Sequence, residues 1–179
     1  MQTFETERLL MRPLRPDDQA FYCGCYTDPI LMQHIGEPFS PETALRGFHS
    51  ALKAASLIPV RNYTWAMQEK ATGTPVGLLA MYADQIKSDP VTATLGTITL
   101  TRFQNRGFTA EAIRELSNIV FDKTGLDALF VKHKAGNDAV AGVMTKLGYL
   151  PDIPDSPDNR LWVLRRHHWQ TWNSTATPE

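Results

Sequence analysis

Residues 92–123 constrain the fold most, because a strand pattern there leads through a short glycine loop directly into a helix pattern. In TATLGTITL, alternate residues form one side, as expected for a strand. From about Thr109 to Lys123, apolar residues recur at helical spacing and make one stripe. Open α/β sheets bind ligands where a strand's carboxyl end meets a helix, so this stretch also predicts a site.

Strand and helix patterns alternate along the whole chain in the order β-α-α-β-β-β-α-β-α-β. The first helix is predicted from Pro16 to about Tyr26, and the second over residues 40–56, where Ser40 can cap the first turn. Two apolar runs around KATGTP predict a hairpin, and NRLWVLRRH predicts a closing strand. We therefore expect the α/β class, with a mixed sheet and helices on both faces.

The composition is that of an ordinary folded chain. Its 179 residues, 42% apolar and 21% charged, fit a single domain, which we expect over 1–172 with a flexible tail over 173–179. A net charge of −1 gives no global field for nucleic acid or an anionic membrane. The start, MQTFETERLL, lacks the features of a signal peptide, so we expect a cytoplasmic protein. Cys23 and Cys25 lack metal-ligand spacing, and we expect no metal site.

The loop QNRGFTAEAI at residues 104–113 has two interpretations that the residues alone leave open. It is either a strand-to-helix turn that needs a glycine or a backbone cradle for a phosphate. The first N–H groups of a helix have no internal partner and carry partial positive charge, which suits an anion. Gly107 would let the backbone approach a ligand closely, and Arg106 could add a direct charge contact.

Three stretches follow the motifs of one known family, in that family's order. Gln104, Gly107 and Thr109 fit an acyl-CoA loop pattern, Gln/Arg-x-x-Gly-x-Gly/Ala, although a threonine replaces the small last residue. Asn137 opens a helix pattern that ends Lys-Leu-Gly-Tyr, similar to a second motif. The beginning, ETERLLMRPLRPDDQAFYCGCYTDPILMQHIG, is the third. Over about residues 5–168 the chain thus resembles the GNAT superfamily of N-acetyltransferases, and its beginning resembles the RimJ/RimL branch, the ribosomal-protein N-terminal acetyltransferases.

The resemblance implies a GNAT fold, with a mostly antiparallel central sheet of about six or seven strands. It also implies direct transfer of the acetyl group from acetyl-CoA to a primary amine, without a metal. Loop amides would hold the pyrophosphate, and the backbone N–H of Leu100 would polarise the thioester carbonyl. The strand end before the loop and Asn137 would contact the pantetheine arm. The cofactor-binding residues implied in this way are Thr99, Leu100, Gln104, Asn105, Arg106, Gly107, Phe108, Thr109 and Asn137.

The proton-transfer group is not evident, because the residues that serve this purpose in the family are missing. Positions that often hold Glu, Ser and Tyr are occupied here by Thr94, Val140 and Met144. The candidate replacements are His133, His34 and Asp84. His133 alternates with apolar residues on its strand, which also suits a packed core residue, and His34 equally suits a surface loop. The proton could otherwise move through water.

The acceptor would be a protein N-terminus, as the RimJ/RimL resemblance suggests, or a small-molecule amine. Acidic residues are scattered among basic ones in the amino-terminal half, which favours the small molecule, because a basic ribosomal partner needs an acidic groove. The alternative function is a non-catalytic acyl-CoA-binding or regulatory module with the same fold. A homodimer is compatible with the resemblance, and we expect no nucleic-acid or membrane partner.

Overall fold

The computed structural model describes residues 3–55, 62–84 and 91–175. Its strands are β1 (Phe4–Glu5), β2 (Leu9–Pro13), β3 (Asn62–Glu69), β4 (Pro75–Asp84), β5 (Thr92–Thr99), β6 (Ala128–Lys134), β7 (Leu150–Asp152) and β8 (Asn159–Arg165). Its helices are α1 (Gln19–Thr27), α2 (Pro29–Met32), α3 (Pro41–Ala55), α4 (Phe108–Lys123), α5 (Asp138–Lys146) and α6 (Arg166–Thr175), with 3₁₀ turns at Pro16–Asp18 and Thr101–Phe103. None of the helices within these ranges is long and apolar enough to cross a membrane.

The described strands form one sheet of eight, in the spatial order β1-β2-β3-β4-β5-β6-β8-β7. Neighbouring strands are antiparallel except β5 and β6, which run parallel. This confirms the predicted mixed, mostly antiparallel sheet with helices. The count exceeds the predicted six or seven, because β1 and β7 have only two and three residues, too few to show a two-residue period.

The parallel strands β5 and β6 separate before they end. Their register stops where Leu95 lies opposite Val131. Beyond that point, Gly96–Thr99 pair only with β4, and Lys132–Lys134 pair only with β8. A gap therefore opens in the middle of the sheet at the carboxyl ends of two parallel strands, where α/β sheets tend to bind ligands.

The helices before β3 follow the prediction with one addition. The Ser40 hydroxyl accepts a hydrogen bond from the Thr43 N–H (3.2 Å), as expected for the cap of α3. α1 ends before Asp28–Pro29, as predicted, but Pro29 then begins the short helix α2, which the sequence did not indicate. The Asp28 carboxylate starts this extra turn by accepting from the N–H groups of Ile30 (2.8 Å) and Leu31 (3.3 Å).

The end of the chain differs from the prediction. β8 stops at Arg165, and α6 takes over residues 166–175, including the first three residues of the expected tail. The buried Trp169 explains the helix: its ring lies 5.2 Å from Phe121, and its indole N–H donates to Asn118 (3.0 Å). This docking onto α4 depends on contacts about 50 residues apart in sequence, so no local pattern could reveal it. Residues 176–179 lie outside the described residues.

Candidate active site

A cavity of about 630 Å³ occupies the gap between β5 and β6. One end, here called the loop end, is formed by residues 104–105 and 107–110; the other, the tyrosine end, contains Tyr26, Tyr82 and residues 33–35. The predicted site residues that line it are His34, Thr99, Gln104, Asn105, Gly107, Phe108, Thr109, His133 and Asn137. Leu100 and Arg106 are not among its lining residues, and the side chain of Asp84 lies outside the described residues.

The loop end exposes a run of unpaired backbone donors. Asn105 (φ 59°) and Gly107 (φ 81°) both adopt the left-handed conformation, which turns the backbone between them. The first intrahelical bond of α4 runs from the Glu111 N–H to the Gly107 carbonyl (3.1 Å). The N–H groups from Asn105 to Ala110, six in all, have no acceptor within the described part of the chain. Unpaired N–H groups at the positive end of a helix dipole form a site for an anion such as a diphosphate.

Side chains tie this loop to the end of β5. The Gln104 side-chain amide donates to the Thr99 carbonyl (3.0 Å). The hydroxyls of Thr99 and Thr109 lie 2.7 Å apart and are hydrogen-bonded. Thr109, which replaces a smaller residue of the loop pattern, therefore adds a link between the strand and the helix.

A second tie, which the sequence did not reveal, joins the amino-terminal segment to the first turn of α4. The Glu111 carboxylate accepts hydrogen bonds from the Thr6 hydroxyl, the Arg8 N–H (2.7 Å) and Arg8 Nε (2.6 Å). Arg8 Nη1 also donates to the Arg106 carbonyl (3.0 Å). A Cβ added at Gly107 would lie 3.3 Å from Arg8 Nη2, so the guanidinium packs against the loop backbone. We call Thr6, Arg8 and Glu111 the latch.

The latch fixes the ionisation state of Glu111. Partial burial would raise the pKa of this carboxyl, but the hydrogen bonds from Thr6 and Arg8 outweigh it and lower the pKa below its usual range. The partners are separated by 103 residues or more, and only the fold brings them together. The sequence offers Glu111 in a first helical turn and a basic residue near the start, but nothing that pairs them.

Arg106 was predicted to add a charge contact, and its side chain is engaged elsewhere. Its guanidinium forms an ion pair with Glu69 (3.2 Å) and lies 5.0 Å from the ring centroid of Phe108. The residue therefore contributes to the loop end through its unpaired N–H rather than through its positive charge.

The prediction that the Leu100 N–H polarises a carbonyl is wrong, because this group donates to the Val76 carbonyl on β4 (2.9 Å). In an antiparallel pair, successive residues of a strand direct their N–H groups to opposite sides. Given the register of β4 and β5, Thr97 and Thr99 direct theirs away from β4 and into the gap. The Thr99 carbonyl agrees with this alternation, since it accepts from Gln104 in the loop.

His133 was predicted as a proton-transfer candidate, and its contacts identify it as a structural residue. Its Nε2 accepts a hydrogen bond from the indole N–H of Trp162 (3.0 Å), so Nδ1 carries the proton and donates to the Lys134 carbonyl (2.8 Å). Both nitrogens are thus occupied, and the residue is only 8% exposed. Accepting a proton from a substrate would break the bond to Trp162.

Asn137 and His34 retain free polar groups in the cavity. Asn137 precedes α5 as predicted, but its side chain makes no capping hydrogen bond. Its side-chain amide is therefore not used to cap α5, and the residue lines the cavity. His34 is half-buried, lines the tyrosine end and has no hydrogen-bond partner among the described residues.

Three tyrosines meet at the tyrosine end. Tyr26 and Tyr82 line the cavity, and the ring centroids of Tyr22 and Tyr26 lie 4.7 Å apart. Burial raises the pKa of Tyr22 to about 12 and raises that of Tyr26, and partial burial raises that of Tyr82. These phenols therefore stay protonated at neutral pH and act as hydrogen-bonding groups rather than bases.

The cysteines play no visible part in the site. Neither Cys23 nor Cys25 is among the lining residues of the cavity, and burial raises the pKa of Cys25 to about 12, which disfavours a thiolate. Within residues 3–55, 62–84 and 91–175, no group of three or more His, Cys, Asp or Glu side chains could hold a metal ion.

Comparisons with known proteins identify the family. The acetyltransferase (GNAT) domain family matches residues 8–150. No curated protein sequence matches the chain. An acetyltransferase from Agrobacterium tumefaciens str. C58 has a similar fold, with a TM-score of 0.78 and 22% identity, covering 92% of this chain and 95% of that one.

Two further structures resemble the chain in fold. RimL, a ribosomal L7/L12 alpha-N-protein acetyltransferase in complex with coenzyme A, gives a TM-score of 0.78 and 12% identity, covering 92% of this chain and 98% of that one. Spermidine N-acetyltransferase from Vibrio cholerae, in complex with CoA and spermine, gives a TM-score of 0.74 and 13% identity, covering 91% of this chain and 98% of that one. At these identities the likeness concerns the fold alone.

Proposed function

Because the chain belongs to the GNAT acetyltransferase family and is an acetyl-CoA-dependent acetyltransferase, we propose that it passes the acetyl group directly to a primary amine in a ternary complex. The cavity carries this proposal, since one space joins the unpaired N–H groups of residues 105–110 to the tyrosine end. Acetyl-CoA at one end and an amine at the other would meet in the gap between β5 and β6.

The loop end has donors suited to each part of acetyl-CoA. The N–H groups of residues 105–110 would bind the diphosphate, and Gly107, without a Cβ, would permit its close approach. The N–H groups of Thr97 and Thr99 would pair with the pantetheine arm, and one of them would stabilise negative charge on the thioester oxygen. The uncommitted Asn137 side chain would bind the same arm.

The chemical step needs a neutral amine. Its nitrogen lone pair attacks the carbonyl carbon, a C–N bond forms, the C–S bond breaks, and coenzyme A leaves as a thiolate. An α-amino group has a pKa of about 8 and needs little assistance near neutral pH. His34 would take the amine's proton, because it lines the tyrosine end with its ring nitrogens unoccupied by described residues.

Initial-rate kinetics test the proposal. Coenzyme A release should require an amine, and double-reciprocal plots against both substrates should intersect, as they do for a ternary complex. Parallel plots would show a covalent acetyl-enzyme and contradict direct transfer. Acetyl-CoA binding without turnover of any amine would instead support the non-catalytic acyl-CoA-binding module.

His34→Asn tests the proton-transfer role. We expect kcat/KM to fall by about 100-fold while acetyl-CoA affinity is kept. His133→Asn is the matched comparison: it should lower the unfolding temperature by removing the bond to Trp162, but it should leave kcat/KM near the wild-type value. An unchanged kcat/KM in His34→Asn would remove His34 from the mechanism.

A further inference from the structure

The mouth of the tyrosine end is apolar, although it faces solvent. Ile30, Ile35 and Tyr82 line the cavity and remain 59%, 48% and 42% exposed. Large apolar side chains grouped at a cavity mouth favour a ligand that covers them, because burying apolar surface is worth about 25 cal/mol per Å². The body of the acceptor is therefore expected to be apolar.

The end of β6, beside residues 33–35, carries positive charge. Lys132 and Lys134 both line the cavity. The charge of Lys132 is matched, since its Nζ lies 2.6 Å from the Asp155 carboxylate. Lys134 Nζ lies 3.5 Å from the Gln33 carbonyl, and no carboxylate within the described chain is paired with it. Lys134 thus presents an unmatched ammonium beside the turn that holds His34.

These charges bear on the class of amine that can bind. The described lining contains two lysines and neither Asp nor Glu. A polyamine would bring additional ammonium groups into this positive environment and would lose water without gaining a carboxylate partner from these residues. A carboxylate on the acceptor would instead form a charge-assisted hydrogen bond with Lys134.

We propose that the acceptor is a primary amine that combines an apolar body with a carboxylate, as an apolar amino acid does, and that Lys134 binds the carboxylate. This inference rests on the proposed function, since it takes the tyrosine end as the acceptor site. Lys134 is then a specificity-determining residue, whereas Ile30, Ile35 and Tyr82 accommodate the apolar body.

Matched pairs of amines provide the test. Phenylalanine and phenethylamine differ only in the carboxylate, as do leucine and isoamylamine, and spermidine represents the polyamines. With kcat/KM corrected for the neutral fraction of each amine, the wild type should prefer the carboxylate-bearing member by about 10-fold. Spermidine should be the poorest acceptor. A phenylalanine-initiated peptide amide, which lacks the carboxylate, should resemble phenethylamine.

Lys134→Gln should reduce this preference to within about twofold while leaving acetyl-CoA affinity unchanged. The control is Lys123→Gln, in the last turn of α4 and outside the cavity, which should keep the full preference. Binding of N-acetylphenylalanine and N-acetylphenethylamine to the CoA-loaded protein, measured by calorimetry, should show the same ratio independently of turnover.

The outcomes separate this inference from the proposed function. Acetylation of amines with no carboxylate preference, or a preference that survives in Lys134→Gln, overturns the inference and leaves the acetyltransferase intact. A kcat/KM for spermidine or for the peptide amide that is higher than that for phenylalanine also overturns the inference. Acetyl-CoA binding without acetylation of any amine contradicts the proposed function itself.

Discussion

The two ends of the cavity present different groups to a ligand: backbone atoms at the loop end and side chains at the tyrosine end. At the loop end the proposed binding groups are backbone N–H groups, and the side chains of Gln104, Arg8 and Glu111 hold that backbone in place. At the tyrosine end the side chains themselves form the surface, as with Ile35 and Lys134. Because backbone N–H groups do not depend on side-chain identity, such a loop can bind the same cosubstrate in chains of different sequence. Under our proposal, acceptor specificity would instead depend on side chains, which can vary without disturbing the loop.

Gly107→Asp should break the loop end and have the largest effect. The substitution places a β-carbon at a left-handed φ of 81°, 3.3 Å from Arg8, and a negative charge among the unpaired N–H groups. We expect acetyl-CoA affinity, measured by calorimetry, to fall by at least about 100-fold. Gly125→Asp is the control, since nothing lies within 4 Å of a Cβ there. Equal affinities in the two variants would contradict a backbone cradle.

Asp18→Asn should destabilise the start of α1, the helix that carries Tyr22 and Tyr26 at the tyrosine end. Asp18 precedes α1, and its carboxylate accepts from Arg12 (2.7 and 2.8 Å) and from the Arg15 N–H (2.8 Å). Both members of the pair are largely buried, so removing the charge should cost about 2 kcal/mol in the free energy of unfolding. Urea denaturation at pH 7 measures this loss, and a stability equal to the wild type would show that the pair contributes nothing.

The same pair predicts a pH dependence. Burial would raise the pKa of Asp18, but the hydrogen bonds from Arg12 and Arg15 outweigh it and lower the pKa. A lowered pKa in the folded state gives stability that is present above the unfolded pKa of about 4 and is lost as pH falls through the folded value. Wild-type stability should therefore drop below about pH 4, and the drop should be smaller in Asp18→Asn. Identical pH slopes would contradict this assignment.

Glu111→Gln should show how much the latch, which holds the loop backbone, contributes to acetyl-CoA binding at the loop end. Without the carboxylate, Arg8 loses its partner and the first turn of α4 is less firmly held. We expect acetyl-CoA affinity to fall by about 10-fold, while affinity for acetyl-pantetheine, which lacks the diphosphate, is unchanged. Glu115→Gln, one turn further along α4, is the control. Equal losses for both ligands would mean that the latch stabilises the fold in general.

Tyr26→Phe should have the smallest effect and act only at the tyrosine end. It removes a hydroxyl from the lining of the cavity but keeps the ring that stacks against Phe39. The acceptor KM should rise by about threefold, with acetyl-CoA affinity unchanged. A reduced acetyl-CoA affinity in this variant would show that the two ends are not independent.

The sequence predicted the loop end better than the tyrosine end for a physical reason. The strand, Gly107 and the start of α4 follow one another within about fifteen residues, so local patterns report them. The orientation of the Leu100 N–H depends instead on the register with β4, and the role of His133 depends on Trp162, 29 residues away. Lys134 and Ile35 are 99 residues apart in sequence, and only the tertiary fold brings both to the tyrosine end.

Amide hydrogen exchange with and without acetyl-CoA tests the central claim most directly. The N–H groups of residues 105–110 have no acceptor in the described structure and should exchange rapidly in the free protein. Acetyl-CoA should slow their exchange more than that of other amides, together with Thr97 and Thr99 in the gap. Leu100, already bonded to Val76, should change little. Protection confined to other segments, with residues 105–110 unaltered, would contradict the assignment of the loop as the acetyl-CoA site.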